Sequence, residues 1–239
     1  WKAGGSASSN SNGSITSSVS ASTDAGFSIV SYTGTGSDAN VGHGLSSAPE
    51  LIITKSRSTT GDWKVHTSAI DGSWDVGTLN STSAFGNSSY TASTNSIFYV
   101  GSGAPTNASS VTYVSYLLHS VKGYSKFGSY TGNGSLDAPF IHLGFKPAWL
   151  MIKRTDTTNS WVMFDNKRNA FNVVDKHLFA NTTDPEDSSA NYNEVDFLSN
   201  GFKLREDNNT INASGGTYIF MAFAESPFTN SSGVPNNAR

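Results

Sequence analysis

Apolar residues in this chain fall in short runs set between stretches of Ser, Thr, Asn and Gly, and nowhere do they recur at the helical spacing of 3.6 residues. Positions 27–32 (Phe-Ser-Ile-Val-Ser-Tyr) and 97–100 (Ile-Phe-Tyr-Val) are rich in β-branched and aromatic side chains and read as strands. Positions 51–54 and 149–152 are continuous apolar runs that follow a proline, the pattern of a strand covered on both faces. Between 62 and 66 the chain alternates, which sets Trp63 and Val65 on one face and Lys64 and His66 on the other. Positions 161–164 fill both faces, 202–204 form another short strand, and 111–118 and 217–224 are the longest strands. A helical turn finds room only at 166–180 or near Pro185.

The pattern repeats. Tyr32-Thr33-Gly34-Thr35-Gly36-Ser37 returns 98 positions later as Tyr130-Thr131-Gly132-Asn133-Gly134-Ser135, followed in the two copies by His43-Gly44-Leu45 and His142-Leu143-Gly144. Asn107-Ala108-Ser109 with Tyr113 matches Asn212-Ala213-Ser214 with Tyr218, at an offset of 105. Self-similarity at a fixed period governs architecture more strongly than any local propensity. The expected fold is all-β, with two tandem, similar antiparallel β-sandwich lobes over 26–122 and 123–228. A Ser/Gly-rich linker or arm over 1–25 precedes them, and a tail over 229–239 follows. The arm is either a floppy tether or a strand-like arm that lies on a neighbouring subunit, since 14–20 has β-compatible residues.

Charged residues make up only 14% of the 239, and the net charge of −3 leaves no basic stripe with which to displace counterions from nucleic acid. There is no cysteine, hence no disulfide framework and no thiolate metal site. No apolar run is long enough to span a bilayer as a helix, so no membrane insertion is expected. The chain opens on Trp1, which reads as the start of a piece of something longer.

Catalytic constellations are weak. The carboxylates cluster on expected loops, at Asp184, Glu186 and Asp187 and at Glu206 and Asp207, with Glu194 and Asp196 near a strand edge, so a glycosidase-type pair is not favoured over solvated loop charges. There is no Gly-x-Ser-x-Gly elbow, and His43 and His142 read as turn histidines bonded to backbone. Asp71-Gly72-Ser73-Trp74-Asp75 and Ser37-Asp38-Ala39-Asn40 offer oxygen ligands but lack the full register of a calcium loop. No catalytic, cofactor or metal residue is assigned.

The aromatics are more suggestive, with five Trp, nine Tyr and fourteen Phe. Sugar rings stack on exposed indole and phenol planes, although the same side chains also fill cores and interfaces. The long irregular segments 80–95 and 181–193 correspond in the two copies and are the expected contact loops. The candidate receptor-contact residues are Trp74, Asn87 and Tyr90 in and before the first, with Asp184, Glu186 and Tyr192 in the second; Trp63 and Trp161 are expected in the core.

Taken together, Gly26 to Gly34, Val41 to Leu45, Gly123 to Gly132, Leu198 to Arg205 and Asn212 to Tyr218 resemble an uncharacterised domain family that recurs in tail and fibre proteins of tailed bacteriophages. The resemblance covers most of 26–228 and brings no accepted catalytic residues. It implies a virion structural protein, at the C-terminal end of a tail, fibre or surface-decoration component. Such a protein would be exposed on the virion, assembled with other virion proteins and as a homo-oligomer, a trimer for preference, and would adhere to a host-surface polysaccharide or protein. A purely architectural module and a glycan-degrading spike enzyme are the alternatives.

Overall fold

A computed structural model describes residues 2–186 and 194–227. The chain is all-β, with several antiparallel sheets, and its contacts divide it into two compact units. The first comprises 1–79 and 86–120, and the second 80–85 and 121–239.

In the first unit the strands are β1 (Ser8–Asn10), β2 (Ser17–Ser22), β3 (Phe27–Thr33), β4 (Ala39–Gly42), β5 (Leu51–Ser56), β6 (Lys64–Thr67), β7 (Asp75–Thr78), β8 (Gly86–Asn87), β9 (Ile97–Val100) and β10 (Thr112–Leu118). One helical turn, α1 (Ala104–Asn107), precedes β10. Eight strands make one sheet in the order β1-β2-β3-β10-β5-β6-β7-β8, while β4 and β9 pair separately. The apolar core lies between them: Val19, Val30, Ile52 and Leu117 from the large sheet meet Val41, Phe98 and Val100 from the small one.

The Ser-rich segment is built into this unit over 8–22 rather than hanging as a loose tether there. Its strands β1 and β2 add to this unit's own sheet, with Val19 opposite Val30 and Ser18 opposite Ser31. The reason is a two-residue period carried by very few apolar atoms. Ile15, Ser17 and Val19 are buried while Thr16 and Ser18 face solvent, and the buried Ser17 hydroxyl is satisfied by the Gly42 carbonyl at 3.0 Å.

The second unit contains β11 (Ser125–Thr131), β12 (Phe140–His142), β13 (Pro147–Arg154), β14 (Trp161–Asp165), β15 (His177–Phe179), β16 (Val195–Leu198), β17 (Gly201–Leu204) and β18 (Thr217–Ala224). Its sheets run β11-β18-β13-β14-β15 and β12-β17-β16. The core between them is heavier, with Leu150, Ile152, Phe164, Phe202, Leu204 and Phe220 all closed to solvent. The stretch β3-β10-β5-β6-β7 of the first sheet and the five-stranded sheet of the second follow one wiring: in each, the long last strand lies between the first and third members.

The words shared by the two halves of the sequence build one network, twice. In the first unit the Asn107 amide accepts the Thr35 N–H at 2.9 Å and donates to the Ser37 carbonyl at 2.6 Å, while the Tyr113 hydroxyl takes the Ala108 N–H. In the second, Asn212 accepts from the Asn133 N–H at 2.9 Å and donates to the Ser135 and Glu206 carbonyls, and the Tyr218 hydroxyl takes the Ala213 N–H. Beside each amide two tyrosines stack, Tyr32 on Tyr113 at 5.4 Å and Tyr130 on Tyr218 at 5.0 Å. Gly34 and Gly132 are glycines because a Cβ there would stand 2.3 Å from the Ala108 or the Ala213 carbonyl oxygen.

Residues 80–85 leave the first unit between β7 and β8 and are built into the second. Thr82 offers its carbonyl to the Asn159 N–H (2.8 Å) and to the buried Lys153 ammonium (3.3 Å), and Phe85 donates its N–H to the Thr155 carbonyl and packs on Trp161. Lys153 also bonds the Arg154 carbonyl at 2.6 Å, and burial pulls its pKa down to about 8.

Candidate functional site

The first unit carries a cleft of about 260 Å³ lined by Asp38, Asn40, Ser89, Tyr90, Thr91, Tyr99 and Gly101. Its floor follows from strand alternation in the small sheet. Phe98 and Val100 point into the core, so Tyr99 points out, and the register pairs it with Asn40 on the same outer face. Val41 pairs with Phe98 on the inner face, so both strands are held by the core. Asp38, just before β4, accepts the Ser102 N–H through Oδ1 at 2.8 Å, which leaves Oδ2 available. The Asn40 side-chain oxygen accepts the Ser14 N–H at 2.7 Å, which leaves its NH₂ as a donor.

The wall is Tyr90, from the irregular segment after β8. Its ring stacks on His66 at 5.1 Å and its hydroxyl meets the Thr106 hydroxyl at 3.3 Å. A Cβ on Gly101 would stand 2.5 Å from Tyr90 Cε1, so the absence of a side chain at 101 is what lets the ring lie down. Gly101→Ala is expected to lift Tyr90 off His66 and to cost about 1–2 kcal/mol of stability. Loss of the Tyr90 ring-current shift on the His66 ring protons would report it by NMR.

His66 lies in the sheet opposite Ile52 and is 6% exposed, in a closed pocket with Trp74, Phe98 and Val100. Burial, with a smaller contribution from Lys64, holds its pKa down at about 4, so the ring is neutral at pH 7. The alternation of 62–66 is therefore real, and both faces are covered, Val65 being 1% exposed. His66 faces the core, and Trp63 lies half-buried on the other face, stacked on Tyr116 at 6.4 Å.

Of the expected contact residues among the described residues, only Tyr90 lines the cleft. Trp74 is a core residue, 6% exposed; Asp71 to Ser73 before it are exposed, and that polar flank disguised a side chain turned inward at the start of β7. Asn87 is exposed on β8 opposite Asp75, outside the cleft lining. Asp184 and Glu186 are exposed loop residues of the second unit, and Glu186 is engaged by Arg168 at 2.9 Å and Lys176 at 3.8 Å. Tyr192 lies outside the described residues. Asp38 and Asn40, weighed as calcium ligands, line the cleft instead, and Tyr99 was hidden inside a strand whose outward face the sequence does not distinguish.

His43 is a turn histidine. Its Nδ1 accepts the Leu45 N–H at 3.1 Å and its Nε2 is 3.0 Å from the Thr94 carbonyl, which fixes the tautomer with the proton on Nε2. His142 instead lies exposed at the end of β12, against the Phe140 ring. Among the described residues no three His, Asp or Glu side chains are grouped as a metal site would require, and no helix is long and apolar enough to cross a membrane.

The lining offers one carboxylate oxygen as acceptor, one amide as donor, two phenol rings and two small hydroxyls. A single carboxylate lacks the partner that acid-base glycoside cleavage uses, whereas the same set suits the C–H face and vicinal hydroxyls of a saccharide. No curated protein and no solved structure matches the chain. One family model, described as a domain of unknown function (DUF7483), matches residues 1–227.

Proposed function

The chain belongs to the DUF7483 family, and we propose that it is a non-catalytic adhesion module that binds neutral saccharide in the Tyr90–Tyr99 cleft. The observation that carries this reading is the pairing of the outward Tyr99 ring with Asn40, whose NH₂ remains a donor, on one strand pair, with the second Asp38 carboxylate oxygen available just before it. Stacking on a phenol holds the sugar's apolar face, and the carboxylate and amide take its hydroxyls in opposite donor senses.

The setting in which such a module works follows from the phage-tail resemblance of its sequence phrases. The protein is a structural component of a virion tail, fibre or decoration, exposed at the surface and assembled with other virion proteins as a homo-oligomer, a trimer for preference. Its two units are tandem sandwich lobes of one repeated module; the common strand wiring and the doubled Asn–Tyr network support this. At this cleft, where the one charged lining residue is Asp38, the polar lining suits uncharged rather than anionic glycans.

The test is a glycan array probed with the full chain, followed by calorimetry on the best neutral oligosaccharide for the native protein, Tyr99→Ala and Asp38→Ala. Both variants should weaken binding at least ten-fold with the fold retained. Binding that is unchanged in both would place the receptor contact elsewhere. A folded oligomer that binds no glycan would favour the architectural reading, and release of shortened sugar would favour the enzyme.

A further inference from the structure

On the opposite layer of the first unit, a shallow groove of about 390 Å³ crosses the large sheet near the ends of its strands. Register explains its chemistry. Ser9, Ser18 and Ser31 stand side by side across β1, β2 and β3, and Thr33 stands opposite Thr112 across β3 and β10. These five side chains belong to the solvent face of the sheet, and among the described residues none of their hydroxyls has a hydrogen-bond partner.

Arg57 closes the groove. Its N–H bonds the Thr112 carbonyl at 2.7 Å, so its backbone is fixed where β5 runs out. Its exposed guanidinium meets no carboxylate among the described residues, in a chain that carries more acidic than basic side chains. None of the lining residues is acidic. The two tyrosines in the lining, Tyr32 and Tyr113, are 5% and 0% exposed, so no ring is offered for stacking.

A polyol bearing one negative charge matches this surface. We propose that the groove is a second saccharide site, selective for a sugar carboxylate, with Arg57 binding the carboxylate of a hexuronate and the hydroxyls of Ser18, Ser31, Thr33 and Thr112 bonding the ring hydroxyls. A guanidinium presents two parallel N–H donors to a carboxylate, while the small side chains leave room for a ring to lie flat against the sheet. The site differs from the tyrosine cleft in residues and in ligand charge, and it stands whether or not that cleft binds neutral sugar.

The experiment uses the full chain labelled with nitrogen-15 and three probes: a short oligogalacturonate, a neutral galactose oligomer of equal length, and inorganic sulfate. Oligogalacturonate is expected to shift the Arg57 Nε–Hε signal and the amides of 31–33 and 112, and to weaken as salt is raised. Arg57→Gln should lower its affinity at least ten-fold without moving the melting temperature, because the side chain is exposed, and Thr112→Val should lower it to a smaller extent. The neutral oligomer should leave these signals unmoved. Uronate affinity unchanged in Arg57→Gln, shifts confined to the Tyr99 cleft, or sulfate binding as tightly as the uronate would each overturn the proposal.

Discussion

Asn212→Ala is expected to destabilise the second unit by about 3–4 kcal/mol, the largest effect of any single polar substitution described above. The side chain is 0% exposed and satisfies four partners: its NH₂ reaches the carbonyls of Ser135 and Glu206 and the side-chain oxygen of Asn133, and its oxygen takes the Asn133 N–H. Removing it strips one hydrogen bond each from the Ser135 and Glu206 carbonyls and from the Asn133 N–H and opens a hole beside a closed core, and the loss of such a buried hydrogen-bonding side chain costs about 1–3 kcal/mol or more. Asn212→Asp tests the direction of the bonds. It keeps the acceptor but faces two carbonyl oxygens with a carboxylate, so it should be no better than alanine. Urea unfolding of the three proteins checks both statements; a midpoint for Asn212→Ala within experimental error of the native one would contradict the assigned network.

Acid should weaken the first unit, and His66 sets the window. Its folded pKa of about 4 lies below the usual 6.5, so the unfolded chain takes up a proton first. The contribution of the neutral buried ring is complete above pH 6.5 and is lost as the pH falls towards 4, a change of about 3 kcal/mol at 1.36 kcal/mol per pH unit. Asp75 opposes it. Burial, then the nearby Asp71 charge, raises the Asp75 pKa, so its stabilising contribution is complete at low pH and is lost as the pH rises. The two are separated by His66→Phe, which keeps a ring under Tyr90 but removes the titration. Its melting temperature should fall less than that of the native protein between pH 7 and 4, and equal slopes would exclude His66 as the source.

The fold class was legible from strand-length apolar runs, and the doubled words marked positions that matter. Yet what they mark is rigidity: Asn107, Tyr113, Asn212 and Tyr218 are locked among backbone groups and offer nothing to a ligand. Tyr90 could be picked out because it stands in a polar loop. Tyr99 could not, because its outward direction depends on which of two strand faces meets the core, and that is decided by Val41 and Phe98 across the pair. Trp74 failed for the same reason in reverse. The strands at 8–10 and 17–22 were illegible because serine takes either side of a sheet, and only Ile15 and Val19 announce the inner face.

The six residues at 80–85 give the chain a covalent topology that no single cut respects. The backbone passes between the units three times, at 79/80, 85/86 and 120/121, so cleavage at 120/121 alone would still leave them tied through a loop seated by Lys153, Asn159 and Trp161. A fragment beginning at 121 would lack the partners that Thr82 and Phe85 provide, leaving the Lys153 ammonium short of an acceptor. Genetic halving of this protein is therefore the wrong operation, and a force pulling on its two ends would have to strip out that loop before either half could be drawn free of the other.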